Sequence, residues 1–454
     1  MTSANTLHKP DEESFYKRYF VIVIPLILQQ FISISLNFVD NIMVGQLGEA
    51  NIAAVGVANK LYFVYILMLF GALGGASIFL AQYYGKKDFR NFRRVFAISI
   101  IVSICFGGLF APFAIIFAEN FMELFSADNE VITIGTGFLQ IIAIAFPINA
   151  VSIAIATSLR SMGKTKQALY IVVIATIVNT ILNYGLIYGN LGLPRLEAKG
   201  SAIATLIART VEFGVCVYFF FNKKYQMKTA FKKYFGFPKD KINSLIKISI
   251  PVFFTETVWV VATTVLYIAY GYLGTYALAS VNIAELVINA GSIIFFGIAV
   301  GANILVAQTI GANKLDEAFD MSKKILRMAF IISFAVSVLA LLFRGEILKA
   351  YSLTPEAIVL TDKVLIAFSI AMFFKFINWT VIVGILRAGG DTKVAFFIDA
   401  IPVVFIAIPL AFFSAVVLNL EVYWVVLIAN IEEVVKCFIA IWRFKTKKWI
   451  KNLT

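Results

Sequence analysis

From about residue 18 to residue 442 the chain is a succession of apolar segments, each about 20 residues or longer, separated by short runs of Gly, Pro and charge. Wound as an α-helix, a segment of that length crosses the ~30 Å hydrocarbon core of a bilayer. Within hydrocarbon every backbone N–H and C=O must find its partner inside the protein, so helices are the natural solution for such long apolar runs. The fold class predicted is therefore an all-α integral membrane protein. Composition leaves little for a soluble domain, because 61% of the residues are hydrophobic and 14% charged, against roughly half and about a quarter in water-soluble domains. Twelve spans are expected, near residues 18–42, 51–83, 92–117, 131–159, 167–188, 198–221, 246–271, 277–309, 325–343, 361–386, 393–416 and 421–442.

The net charge of +13 is concentrated in short clusters between the spans. Most of the Lys and Arg residues fall in alternate connections: the N-terminal tail, GKKDFRNFRR, LRSMGKTK, the long basic stretch after residue 221, GANKLDEAFDMSKKILR, LRAGGDTK and the C-terminal tail. Basic loops resist translocation, which puts both termini in the cytoplasm and requires an even number of spans. That pattern speaks for the inner or plasma membrane of a cell and against nucleic acid as a partner. The three cysteines stand singly and the only histidine, His8, lies in the polar N-terminal tail, so disulfide, zinc and haem spacings are missing. The polar start and the full-length first span argue against a cleaved signal peptide.

The two halves repeat. At an offset of 226, Pro25 aligns with Pro251, Leu47 and Gly48 with Leu273 and Gly274, and Ala81, Gln82 and Gly85 with Ala307, Gln308 and Gly311. At 227, Leu159-Arg160-x-x-Gly163-x-Thr165-Lys166 aligns with Leu386-Arg387-x-x-Gly390-x-Thr392-Lys393. Two six-helix bundles related by an axis along the membrane normal follow, with the transport site between them. The expected organisation is a tail at 1–17, bundles at 18–221 and 246–442, a linker at 222–245 and a basic tail at 443–454.

A charge at the bilayer centre costs at least ~2.5–3.5 kcal/mol, so ionisable residues inside the spans need a partner or a purpose. Arg209 with Glu212, and Glu432 with Lys436, are spaced to pair on their own helices. Asp40 has no basic residue on its helix face. With Asn179 and Asn183, four apart on one face of the fifth span, and Thr205 in the sixth, it can form a cation or proton site, Na⁺ being the metal ion such oxygens suit. In the second half Glu256, Glu285 and Asp399 face a single intramembrane Lys375, with Asn378 nearby. Meeting in one cavity, they would leave a carboxylate free for a proton, an inorganic cation or a cationic substrate. A permanent pair of Lys375 with Asp399 or Glu256 is the alternative. Trp259, with Tyr62, Tyr65 and Met68 at helical spacing, could line a pocket for amphipathic organic cations, although most aromatics in such a chain face lipid or pack between helices. No G-x-x-x-x-G-K-[ST] occurs, so nucleotide is not expected to drive transport.

An acid in the first span of the form D-x-x-x-V-G-x-L-G, a second span ending A-Q-Y-Y-G and the repeated L-R-x-x-G-x-T together resemble the multidrug and toxic compound extrusion (MATE) family, over essentially the whole chain. The resemblance implies a V-shaped pair of six-helix bundles that opens alternately to each side and exports cationic drugs in exchange for Na⁺ or H⁺, as a monomer in membrane lipid. It implies that Asp40, with Asn179, Asn183 and Thr205, is the first-helix cation or proton site, and that Glu256 is the seventh-helix carboxylate. Two departures stand out. Asn183 occupies the place of a second acid, and the acid expected in the tenth span is replaced by Phe376, between Lys375 and Asn378, while Asp399 appears in the eleventh. The rivals fit less well: a lipid-linked saccharide flippase favours a basic cavity, a membrane-embedded enzyme needs clustered nucleophile motifs, and a receptor would not be two repeats of six spans. No cofactor beyond the coupling ion, no nucleotide and no nucleic acid are expected.

Overall fold

The computed structural model describes residues 12–222, 227, 238–349, 351 and 353–454, and every regular element among them is helical. In chain order they are α1 (Glu12–Gly45), α2 (Glu49–Gly85), α3 (Phe89–Ile116), α4 (Ala118–Glu123), α5 (Asn129–Ile144), α6 (Phe146–Ser161), α7 (Thr165–Tyr188) and α8 (Glu197–Phe221). The second half follows with α9 (Lys239–Gly271), α10 (Thr275–Gly311), α11 (Leu315–Lys349), α12 (Pro355–Asn378), α13 (Thr392–Pro402), α14 (Val422–Ala429) and α15 (Ile431–Lys445). His8 and most of the expected linker lie outside the described residues. Within that linker α9 has already begun at Lys239.

Among the described residues ten helices are long and apolar enough to cross a membrane, and α5 and α6 pass together as a pair bent by 49°. Pro147 opens α6 at this bend, where its ring favours a helix start and supplies no N–H. The last expected span differs from the rest: it is divided at Asn430, and Glu432, Glu433 and Lys436 make α15 more polar. α12 runs on into widened π-helical turns at Trp379–Leu386, and α13 continues through two more, Val403–Ala407 and Phe413–Val417. Pro402 and Pro409 remove donors from this rod, and the backbone widens around the lost bonds.

Two hydrophobic clusters form the interior. One draws on residues from Val44 to Leu245, the other on α9 to Trp449 together with the first part of α1 and Ala81 of α2. The close approaches that join the halves lie toward the end of the molecule that carries the basic loops. Val23 and Ile27 of α1 meet Gly297 and Gly301 of α10, and Gly71, Gly74 and Gly75 of α2 meet Ser249, Val252 and Phe253 of α9. At the tip α2 and α10 cross at the repeat-related pair Gly85 and Gly311, where an added Cβ would strike the carbonyl of Gln308 or Gln82 respectively. Backbone that close leaves no space for a side chain. Gly311→Ala is expected to lower the melting temperature of the detergent-purified protein by several degrees, whereas Gly214→Ala, whose Cβ meets nothing within 4 Å, should leave it unchanged or slightly raised.

Candidate functional site

Asp40 lies near the far end of α1 from the crossing. α1 packs on α7, and α7 on α8, which brings three expected residues to Asp40. Asn183 donates from Nδ2 to Asp40 Oδ1 at 2.6 Å and to Asn179 Oδ1 at 3.0 Å. Asn179 in turn donates from Nδ2 to Thr205 Oγ1 at 3.2 Å. The one-turn spacing of the asparagines makes the relay possible, and Tyr188, which donates to the Met43 carbonyl at 2.9 Å, clamps α1 to α7 one turn away.

The relay leaves one group over. Asn183 is fully buried, and its Oδ1 has no hydrogen-bond partner among the described residues. A buried acceptor without a donor costs roughly 1–3 kcal/mol, so it marks a place where a further donor or a cation belongs. Asp40, Asn183 Oδ1 and Thr205 Oγ1 together form a set of oxygens suited to a hard monovalent cation, and Asp40 alone could carry a proton. Arg209, one turn beyond Thr205, forms the expected ion pair with Glu212 at 2.7 Å. Spacing alone did not reveal that Arg209 also lies within electrostatic reach of Asp40 and of Tyr62. A basic group therefore stands at the margin of the Asp40 site.

The second-half residues do not gather in one cavity around Lys375. Glu256 pairs with Arg387, the arginine of the second L-R-x-x-G, at 2.9 Å, and its side chain lies where α9 crosses Gly71 of α2. Asp399 pairs with Lys436 at 2.9 Å, and Lys436 also holds Glu432 at 2.8 Å. Asn378 donates to the Oε2 and the carbonyl of Glu433, at 2.8 and 2.7 Å. Glu285 accepts from the Tyr267 hydroxyl, which also reaches Asn282 Oδ1 at 3.1 Å. Tyr270 lies near both Glu285 and Glu432. Lys375 is half-buried and has no ion-pair partner among the described residues. Both the expected cluster around Lys375 and the alternative, its pairing with Asp399 or Glu256, are thus corrected: Lys436 and Arg387 hold those acids. Two features hid them, since Lys436 already had a partner four residues away on its own helix and Arg387 belongs to a motif that reads as a loop.

The aromatic residues separate. Tyr65 is fully buried, stacks on Phe146 with ring centroids 4.2 Å apart and donates to the Phe146 carbonyl at 2.7 Å, so it belongs to the core and not to a pocket. Tyr62 packs beside Tyr65 and Phe146, and Met68 is half-buried. Trp259 shares with Asp399 a recess of about 10 Å³, lined also by Thr255, Val258, Ala400 and Val403. That is space for about one water and not for an organic molecule.

The MatE family model matches residues 25–185 and 251–413, two stretches that begin 226 residues apart (251 − 25), the same offset as the internal repeat. The chain belongs to the MATE family. This MATE protein is thus a multi-pass membrane transporter and not an enzyme. Its relatives include an uncharacterized transporter, YisQ, of Bacillus subtilis, 25% identical over 99% of this chain and 98% of the relative. A probable multidrug resistance protein, NorM, of Halalkalibacterium halodurans is 26% identical over 94% of each chain. Among solved structures, a MOP superfamily transporter from Pyrococcus furiosus superposes with a TM-score of 0.86 over 96% of this chain and 97% of that one, at 18% identity, which shows a shared fold.

Proposed function

We propose that this MATE protein is an ion-coupled antiporter that exports amphipathic organic cations from the cell, with Na⁺ or H⁺ moving inward through the Asp40 site. The observation that carries the reading is the buried relay Asp40–Asn183–Asn179–Thr205 with its unpartnered oxygen. Twelve spans arranged as two six-helix bundles, with the basic loops and both termini in the cytoplasm, agree with the helix positions and the charge distribution. Contacts toward the basic end support bundles that diverge toward the other face, with the substrate held between them in membrane lipid by a single chain. The relatedness to NorM-type multidrug resistance proteins supports organic compounds as cargo.

Coupling requires that ion and substrate favour opposite access states, since a ligand shifts an equilibrium only by its differential affinity. An ion at Asp40 draws α1 toward α7 and α8, which moves the wall facing the other bundle. The second-half network supports the same sign of cargo: Asp399, Glu432 and Glu433 lie around one lysine, Lys436.

The test is release of ethidium from proteoliposomes with a Na⁺ gradient and a pH gradient imposed separately, empty liposomes serving as control. At least one gradient is expected to drive ethidium several-fold faster than in the control, and it names the coupling ion. If neither does, the antiporter reading fails and translocation of a lipid-linked saccharide becomes the reading to test.

A further inference from the structure

The tip of the molecule where α2 and α10 cross has pseudo-two-fold symmetry that one segment breaks. Gln82 donates from Nε2 to the Ala388 carbonyl at 3.1 Å, and its repeat-mate Gln308 donates to the Ser161 carbonyl at 2.7 Å. These two bonds are related by the pseudo-two-fold axis, each joining a helix of one half to the L-R-x-x-G loop of the other. Gln82 alone makes two more: Nε2 donates to the Lys451 carbonyl at 3.2 Å, and Oε1 accepts from the Leu453 N–H at 2.8 Å. Both partners belong to the segment after α15.

That segment is built into the fold. α15 ends at Lys445, and the chain reverses at Lys447, whose φ of 57° is left-handed. Trp449 is fully buried and donates from Nε1 to the Phe444 carbonyl at 3.0 Å. Gly389 must be a glycine here, because a Cβ would strike the Trp449 carbonyl. The Lys451 N–H donates to the Gly389 carbonyl at 3.1 Å, and its Nζ reaches the buried Asp391, shared with Arg443, at 2.7 Å. Beyond that anchor Leu453 crosses the seam and packs against the hydrophobic cluster of the first half. Its carbonyl accepts from Lys241 Nζ of α9 at 3.3 Å.

We propose that residues 447–453 are a latch: anchored on the second half by Trp449 and Lys451, they hold the first half through Gln82 and so favour the state closed at this end. The proposal rests on the reading that the two halves separate here during transport. The anchor is buried and multiply bonded, whereas the grip on the first half consists of Gln82 and one leucine, so release occurs at Gln82 and the segment stays with the second half. Its consequence is an asymmetry of effect between two residues that the repeat makes equivalent.

The experiment measures the distance between spin labels on Lys86→Cys and Ala312→Cys, exposed positions just beyond the crossing, in full-length protein with Cys105, Cys216 and Cys437 replaced by serine. Gln82→Leu is expected to raise the population of the long-distance, open component about fivefold more than Gln308→Leu, because it removes the two latch bonds in addition to the bond that the repeat shares. Deleting residues 447–454 should raise it as well, and on top of the deletion Gln82→Leu should add no more than Gln308→Leu does, since only the bond to the Ala388 carbonyl is then left to lose. Equal effects of the two glutamine variants, or a folded truncation with the wild-type distribution, would overturn the latch. A truncation that fails to fold leaves the glutamine comparison decisive. The distances need no cargo or ion gradient, so an asymmetric opening stands even if ethidium export fails, and symmetric opening beside intact export sinks the latch alone.

Discussion

Asp40→Asn is expected to abolish gradient-driven ethidium movement, a loss of about tenfold or more, while the protein purifies and melts like wild type. Asparagine has the size of aspartate and keeps an oxygen for the bond from Asn183 Nδ2, so the packing of α1 on α7 survives. It cannot carry the charge that a cation needs, nor take up and release a proton. Loss of a coupling worth 1–3 kcal/mol corresponds to roughly 5–150-fold, and removal of the charge removes the coupling altogether. Thr205→Val is the milder companion. It deletes the oxygen that accepts from Asn179 at 3.2 Å but leaves Asp40 and Asn183 in place, so transport should fall several-fold without disappearing. An Asp40→Asn protein that transports at the wild-type rate would show that the carboxylate is structural.

The second large effect is expected from Lys436→Met. The Lys436 side chain is only 4% exposed and bridges Asp399 and Glu432, with Glu433 on the adjoining position of α15. Removing the one cation strands carboxylates in a region that water reaches poorly, and breaking a buried pair by deleting one partner costs about 3–5 kcal/mol. The variant should aggregate or melt at a much lower temperature. Adding Asp399→Asn and Glu432→Gln should restore most of the stability, since replacing a buried cation together with the carboxylates it bridges can be close to neutral. Thermal unfolding of the single and triple variants in detergent checks this. If the single variant melts like wild type, the network is better hydrated than its geometry indicates.

The all-helical membrane fold and the grouping of Asp40 with Asn179, Asn183 and Thr205 were readable from the chain, for a physical reason. Span length is set by the bilayer, and the apolar runs state it directly. Asn179 and Asn183 stood one turn apart, and a carboxylate without a basic residue on its own helix points to partners on other helices. The second half was less readable because helix spacing describes only neighbours on one helix. Lys436 looked satisfied by Glu432, so its bond to Asp399 across two helices was hidden, and Lys375 received a role that Arg387 and Lys436 fill. Tyr65 failed as a pocket residue for a related reason: helical spacing does not say which face meets Phe146. The polar helix α15 and the folded-back tail carry little apolar signal, and their roles emerge only from contacts such as Gln82 with Leu453.

The central claim is that ion binding at Asp40 biases the opening of the two halves. It is tested most directly by spin-label distances across the cleft at the end opposite the basic loops, between a label on the α1–α2 turn and one on the α9–α10 turn, recorded with and without Na⁺ and across pH. The account predicts that Na⁺ or protons redistribute the distances in the wild-type protein and that Asp40→Asn abolishes the response. A response of equal size in both proteins, or none to either ion in the wild type, would contradict it.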